Sequence, residues 1–182
     1  MIQEIASFIN NGVASGVARL VGVTGRAGCG KSTLAQELGF PTYHIDSAFI
    51  GDSTFRKELM EKKRNRSEKS LQDMANQYNW WNWDLVEETL KTLKKYSKPS
   101  IVEGAILGPP AIVNMLDVIL FIEIPNEVRE ARIFSRDTWK RSDQEIKDRL
   151  FLTNAYESKY YEWLFLFYGR KIYRIDKEYN FI

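Results

Sequence analysis

Residues 25–32 have the residue types and spacing of a loop that binds phosphate groups. They read Gly-Arg-Ala-Gly-Cys-Gly-Lys-Ser. Lys31 and Ser32 directly follow Gly30, the last glycine of the loop. Glycines let the backbone curl until successive N–H groups point at one anion. In such loops the lysine reaches the β- and γ-phosphates of a nucleoside triphosphate, and the serine hydroxyl ligates Mg²⁺. The stretch therefore predicts a site for a nucleoside triphosphate and Mg²⁺.

The segments on both sides of the loop support this interpretation. An apolar run over residues 20–24 predicts a strand before it, and residues 31–38 have a helical pattern after it. The helix N-terminus adds partial positive charge where the phosphates would lie. A glycine-rich turn that binds nothing is the alternative, and the strand–loop–helix context disfavours it. The residues predicted to contact the nucleotide are Gly25, Arg26, Ala27, Gly28, Cys29, Gly30, Lys31, Ser32 and Thr33.

Two acids follow predicted strands, and we expect both to face the crevice of the loop. Asp46 ends the second strand and Glu103 ends the third. Ligands of open α/β sheets bind outside the carboxyl ends of the strands. Glu103 could hold the Mg²⁺ shell, position a water molecule or contact an acceptor. His44 shares the strand face of Asp46, and we interpret it as a structural histidine with a satisfied partner.

A basic run on a predicted helix suits negative charge that develops on a transferring phosphoryl group. Arg132 and Arg136 lie four residues apart on one helix face, and Lys140 and Arg141 follow shortly after. The alternative is an exposed helix end with ordinary charges. The phosphate loop upstream favours a catalytic role for the arginines.

Strands and helices alternate along the chain, which predicts a three-layer, doubly wound, five-stranded parallel sheet. The predicted strands are residues 19–24, 42–46, 100–103, 117–124 and 171–175. The predicted helices are residues 2–14, 31–38, 85–96, a short helix begun by Pro109 and Pro110, a helix capped by Asn126, and residues 142–168.

Composition predicts one cytoplasmic domain over residues 1–182. The chain is 44% hydrophobic and 27% charged, as in ordinary globular proteins. A net charge of +2 is too small to indicate nucleic acid or a membrane as the main partner. Cys29 is the only cysteine, which excludes an intrachain disulfide and is typical of a reducing compartment. The apolar positions indicate neither a signal peptide nor a membrane span.

Residues 50–84 leave two pairs of interpretations open. The stretch from Arg56 to Lys69 contains seven Lys or Arg residues and three Glu residues. This run is a solvated helical excursion or a mobile segment near a substrate entrance. Trp81 and Trp83 either anchor the next helix or stack on a planar acceptor ring. Aromatic residues are dense again in 142–168, which indicates a packed helix or a contact in a homo-oligomer.

The combined motifs resemble the uridine kinase and nicotinamide riboside kinase group of P-loop kinases. The resemblance runs from about Arg19 to Arg141. The matching segments are GRAGCGKST for the phosphate loop, HIDSAF for an Asp-Ser-Phe-Tyr segment, WDLVEETL for an Asp-plus-helix segment, IVEG for a Glu-Gly strand end and RIFSRD for a lid. The resemblance implies a P-loop NTPase fold, with an acceptor-side excursion at about 50–84 and a lid at about 132–142.

The same resemblance implies an ATP- and Mg²⁺-dependent kinase for a small molecule, most simply the 5′-hydroxyl of a nucleoside-like compound. The implied catalytic residues are Lys31, Asp46, Arg132 and Arg136. The implied acceptor-binding residues are Asp46, Phe49, Trp83, Glu103 and Arg141, and the implied Mg²⁺ ligands are Ser32 and Glu103. Asp46 would accept the proton of the acceptor hydroxyl or orient that hydroxyl.

Three departures from the group weaken the assignment of the acceptor. Phe49 stands where the group has Tyr, so one hydroxyl is missing. A second Asp-Ser-x-Phe segment at 52–55 makes Asp52 an alternative base, and the lid has fewer arginines than uridine kinases have. The open alternatives are a kinase for a nucleoside monophosphate, a vitamin alcohol or a polynucleotide 5′-end, and a nucleotide-binding regulatory module without acceptor.

Overall fold

Five parallel strands and the helices between them form the part of the chain that the computed structural model describes, residues 2–16, 18–50 and 81–182. The strands are β1 (Leu20–Thr24), β2 (Thr42–His44), β3 (Ser100–Glu103), β4 (Val118–Ile122) and β5 (Ile172–Ile175). The helices are α1 (Ile2–Ala14), α2 (Lys31–Leu38), α3 (Trp83–Leu93), α4 (Pro110–Met115), α5 (Asn126–Asp137) and α6 (Asp143–Tyr168), with 3₁₀ turns at Ile45–Ala48 and Gly169–Lys171.

Strand β1 lies in the middle of the sheet, whose order is β2-β3-β1-β4-β5. It pairs with β3 on one side, Val23 opposite Glu103, and with β4 on the other, Thr24 opposite Phe121. Every residue of β1 and β4 is buried, as expected for parallel strands covered on both faces. The loop after β1 therefore starts at the centre of the sheet's carboxyl edge.

Two apolar layers cover the two faces of the sheet. One layer joins α1 and α2 to the sheet through Ile5, Ile9, Leu34, Val21 and Val23. The other joins α3, α4 and α6 to it through Leu90, Ile112, Leu164, Tyr160 and Leu107. The predicted three-layer parallel architecture is confirmed.

Several boundaries differ from the prediction: β4 is shorter than the predicted 117–124, α3 ends at Leu93 before the predicted residue 96, and two further differences lie near residues 46 and 83. Strand β2 stops at His44, and Asp46 lies in the following 3₁₀ turn instead of ending the strand. The fully buried Ile45 draws the chain inward at this point. Helix α3 begins at Trp83, two residues earlier than predicted, because the Asn82 side chain accepts a hydrogen bond from the Leu85 amide at 3.1 Å and caps the helix there.

The predicted cap at Asn126 is wrong. Asn126 is the first residue of α5 and its side chain makes no cap. Its Oδ1 atom instead accepts a hydrogen bond from the buried guanidinium of Arg129 at 3.3 Å. A buried cation needs acceptors, and this need outweighs the capping preference of asparagine.

No helix among the described residues is long and apolar enough to cross a membrane.

Asp117 ties the start of β1 to the start of β4. Its Oδ2 atom accepts hydrogen bonds from the Arg19 amide at 2.8 Å and the Leu20 amide at 2.9 Å. We expect Asp117→Ala to lower the free energy of unfolding by about 1–2 kcal/mol, because two backbone donors lose a charged acceptor. Chemical denaturation measures this. Asp117→Asn keeps one acceptor oxygen and should lose less; equal stability of the Ala variant and the wild type would contradict the assignment.

Candidate functional site

The phosphate loop packs so closely on its surroundings that two of its glycines have no room for a side chain. Gly25 has φ +139°, and a Cβ atom there would lie 2.5 Å from the carbonyl oxygen of Ile122. Gly28 has φ +85°, and its Cβ would lie 2.9 Å from the carbonyl oxygen of Arg129. Only glycine fits this conformation and this spacing. The loop is therefore held at the end of β4 and the first turns of α5.

Lys31 lies against the loop that precedes it. Its Nζ atom donates hydrogen bonds to the carbonyl oxygens of Gly25 at 2.8 Å and Arg26 at 3.2 Å, and the residue is only 9% exposed. The ammonium group is thus placed beside the curled backbone, where the sequence predicts phosphate groups.

Ser32, Glu103 and His44 form one hydrogen-bonded chain across three elements. The Ser32 hydroxyl donates to Glu103 Oε2 at 3.2 Å, and His44 Nδ1 lies 2.6 Å from the same oxygen. His44 stands directly opposite Glu103 in the pairing of β2 with β3. The predicted metal ligands Ser32 and Glu103 are therefore brought together, and the sequence reading of His44 as a histidine with a partner agrees with this contact.

The oxygen donors of Ser32 and Glu103 fit Mg²⁺, which prefers hard ligands and keeps several waters and phosphate oxygens in its shell. Within residues 2–16, 18–50 and 81–182 no group of three His, Cys, Asp or Glu side chains could hold a metal by itself. A shared shell of two protein oxygens with substrate and water is the arrangement that these side chains support.

Two buried charges that sequence reasoning left without a role lie behind the loop. Glu157 Oε2 accepts a hydrogen bond from the Ala27 amide at 3.4 Å, and the residue is 3% exposed. The guanidinium of Arg129 donates to the Ala27 carbonyl at 3.4 Å and to Asn154 at 2.7 Å. Burial raises the pKa of the Glu157 carboxyl, while nearby Lys31 and Arg129 lower it. No local pattern signals this pair, because 28 residues separate its members along the chain.

Cys29 behaves as a small buried loop side chain. It is 1% exposed, and burial raises the pKa of its thiol even though Lys31 is close. A thiol with a raised pKa has little thiolate and is a poor nucleophile.

The structure brings one of the predicted lid arginines to the loop. Arg132 Nη1 donates to the Cys29 carbonyl at 3.5 Å, and Tyr179 donates its hydroxyl proton to the Gly30 carbonyl at 3.3 Å. Tyr179 was not predicted as a site residue.

The other basic residues of the lid motif gather on Asp137, which is fully buried. Arg136 Nε lies 2.9 Å, Lys140 Nζ 3.1 Å and Arg141 Nη1 3.0 Å from its carboxylate oxygens. The structure therefore does not bring Arg136 and Arg141 to the phosphate loop, and their predicted contact with phosphate remains a proposal.

On the predicted acceptor side, Asp46 is exposed in the 3₁₀ turn after β2. Phe49 pairs with Trp81 through an isolated antiparallel bridge, and their rings meet edge to face at 5.9 Å. Trp83 packs on the core at Gly108, where a Cβ atom would lie 2.8 Å from its ring. This packing favours the anchoring interpretation of Trp83.

The remaining acceptor-side expectations fall outside the described residues. They concern Asp52 as alternative base, the segment 52–55, the charged run 56–69 and the aromatic residues Tyr78 and Trp80.

Comparison with known proteins gives the fold and no family. A scan of protein-family models and a search of curated proteins both found no match to the sequence. Among solved structures, a candidate fructose transport system kinase from Silicibacter sp. TM1040 is similar at 17% identity and TM-score 0.55, over 85% of this chain and 94% of that chain. The protein TT1252 from Thermus thermophilus is similar at 18% identity and TM-score 0.52, over 87% of this chain and 88% of that one.

A gluconokinase from Sinorhizobium meliloti 1021 aligns less well, at 14% identity and TM-score 0.47, over 88% of this chain and 83% of that chain. The first two likenesses establish a shared α/β fold. These likenesses do not specifically support the resemblance to the uridine kinase and nicotinamide riboside kinase group.

Glu157 allows a test of the buried charge behind the loop. Burial raises its pKa above the ordinary value of 4.5, so the folded state holds this proton more tightly than the unfolded chain does. The carboxyl therefore lowers stability as pH rises from 4.5 through the raised pKa. We expect Glu157→Gln to be more stable than the wild type at neutral pH, with a difference that vanishes below pH 4.5.

Denaturant unfolding of both proteins between about pH 4 and 8 measures this difference, since unfolding titrations report stability directly. Glu162→Gln, an exposed carboxylate on the same helix, is the matched control. A difference between Glu157→Gln and the wild type that does not change with pH would contradict the interpretation.

Proposed function

We propose that the chain is an ATP- and Mg²⁺-dependent kinase that phosphorylates a hydroxyl group of a small molecule. The observation that carries the proposal is the Ser32–Glu103 contact at 3.2 Å beside the curled loop, because it joins a metal-binding pair to a phosphate site. A protein that only bound the nucleotide would have no need of a further acid at Asp46, in the turn after β2. The kinase name of the similar Silicibacter protein supports the same reaction class.

In this proposal, the loop amides and Lys31 bind the triphosphate, and Ser32 and Glu103 would hold Mg²⁺. When bound, Mg²⁺ neutralises charge on the phosphate oxygens. Arg132, at the Cys29 carbonyl, adds positive charge beside the loop. Transfer of this kind depends on positioning and charge stabilisation more than on covalent chemistry with the protein.

Asp46 is the residue that we propose for the acceptor. Its place in the turn after β2 puts it at the carboxyl edge of the sheet, where ligands of such folds bind. It would orient the acceptor hydroxyl and accept its proton. A nucleoside-like acceptor follows from the motif resemblance, and a free sugar is a second candidate because the Silicibacter protein is named for fructose transport.

The deciding experiment is a screen of the purified protein with ATP and Mg²⁺ against nucleosides, sugars, nucleoside monophosphates and vitamin alcohols. ATP consumption that depends on one compound class supports the proposal and identifies the acceptor. ATP binding without transfer to any compound would instead indicate a regulatory module.

Replacement of Lys31 tests the triphosphate half of the site. We expect Lys31→Ala to reduce phosphoryl transfer by at least about 100-fold, because the ammonium group would no longer meet the charge on the phosphates. Steady-state kinetics with the identified acceptor measures the effect. Lys91→Ala, on the exposed face of α3, is the control and should retain full activity. A fully active Lys31→Ala variant would contradict the assignment of Lys31 to the triphosphate site.

Replacement of Asp46 tests the acceptor half. We expect Asp46→Asn to lower kcat by about 100-fold or more, because an amide cannot accept the hydroxyl proton. The KM for ATP should change little, and Asp143→Asn at the start of α6 is the control. If Asp46→Asn stays within a few-fold of the wild type while Asp52→Asn loses activity, the base is Asp52.

A further inference from the structure

The pair of His44 and Glu103 links the two halves of the site. His44 ends β2 just before the turn that carries Asp46, and its Nδ1 atom lies 2.6 Å from Glu103 Oε2. The carboxylate of Glu103 is mostly buried, with 9% of its side chain exposed, whereas the imidazole is 53% exposed.

The chemistry of this contact fixes which atom donates. An ionised carboxylate only accepts hydrogen bonds, so Nδ1 carries the proton and donates it to Glu103. The same Oε2 atom accepts the Ser32 hydroxyl at 3.2 Å. Two donors from two different elements therefore converge on one oxygen and restrict the rotamer of the Glu103 side chain.

Holding β2 in the sheet does not require this contact. The backbone pairs of Thr42 with Ile101 and of Tyr43 with Val102 already join β2 to β3. Water competes for the half-exposed imidazole, and Glu103 keeps the Ser32 hydroxyl as a second donor, so this hydrogen bond adds little to stability. The short contact is better explained by a need to orient the acid than by a need to stabilise the fold.

We propose that His44 is a positioning residue that holds the Glu103 carboxylate beside Ser32 for the Mg²⁺ of the bound nucleotide. The inference rests on the proposed function. Partners that orient a metal-binding carboxylate typically change metal affinity by about 10-fold or more when they are removed. His44 itself would touch neither the nucleotide nor the metal.

Three replacements of His44 distinguish a hydrogen-bond donor at the position of Nδ1 from a donor placed further out and from no donor at all. His44→Asn places its amide nitrogen near the position of Nδ1 and can still donate to Glu103, whereas the amide of His44→Gln extends further, towards the position of Nε2. His44→Ala removes the donor. We expect the Ala and Gln variants to need about 10-fold more Mg²⁺ for half-maximal tightening of nucleotide binding, and the Asn variant to stay near the wild type.

The readout is equilibrium binding of a non-hydrolysable ATP analogue by calorimetry over a series of Mg²⁺ concentrations. Affinity without Mg²⁺ should be unchanged in all three variants, as should their unfolding midpoints. Thr42→Ala, on the same strand, is the matched control and should leave the Mg²⁺ dependence unchanged.

A double-mutant cycle tests whether His44 acts through the acid. In a Glu103→Gln background, His44→Ala should cause no further change in Mg²⁺ dependence. Equal Mg²⁺ dependence of His44→Ala and the wild type, failure of the Asn variant to rescue, or additive effects in the cycle would each overturn the inference. A wild type that binds no analogue at any Mg²⁺ concentration would overturn the proposed function, and the inference with it.

Discussion

The close packing of the phosphate loop on the end of β4 is the constraint on which the rest of the site depends. At Gly25 the loop backbone lies so near the Ile122 carbonyl that no side chain fits between them. The curled amides are thereby fixed at the carboxyl edge of β1, the central strand. Because β3 lies beside β1 with Val23 opposite Glu103, the same constraint fixes the distance from the loop to the acid. The acid and the loop are therefore both anchored at the ends of neighbouring strands.

The buried charged side chains behind the loop affect the charge of the ligand that the loop favours. Lys31 and Arg129 are both nearly inaccessible to water, and their described hydrogen-bond acceptors near the loop are largely neutral oxygens. Beside them lies the carboxyl of Glu157, whose pKa is raised by burial, so its negative charge is disfavoured. Lys31 and Arg129 therefore favour the binding of an anion at the loop, since buried charges are screened weakly.

The phosphate loop, the five-stranded parallel sheet and the acid at the end of β3 could be predicted, because the residue patterns along the chain indicate each of them. The turn at Asp46 could not, because it depends on the burial of Ile45 against residues far along the chain. The predicted helix cap at Asn126 is wrong for the same reason, since the buried Arg129 competes for the Asn126 side chain. Glu157 has no local signal at all: its place under the loop is set by the packing of α6. Sequence patterns thus specified the loop and its acid, while long-range packing decided what surrounds them.

The basic residues at and just after the end of α5 show how one buried acid can hold several cations together without neutralising their charge. Arg136, Lys140 and Arg141 share the carboxylate of Asp137, so three cations face one anion. Each contact restrains a long side chain that would otherwise lose conformational entropy when it bound a ligand. The group still carries surplus positive charge, and all three cations remain partly exposed. An anion that approaches this surface meets side chains that are already held in place, and it need not displace Asp137 to gain from their charge.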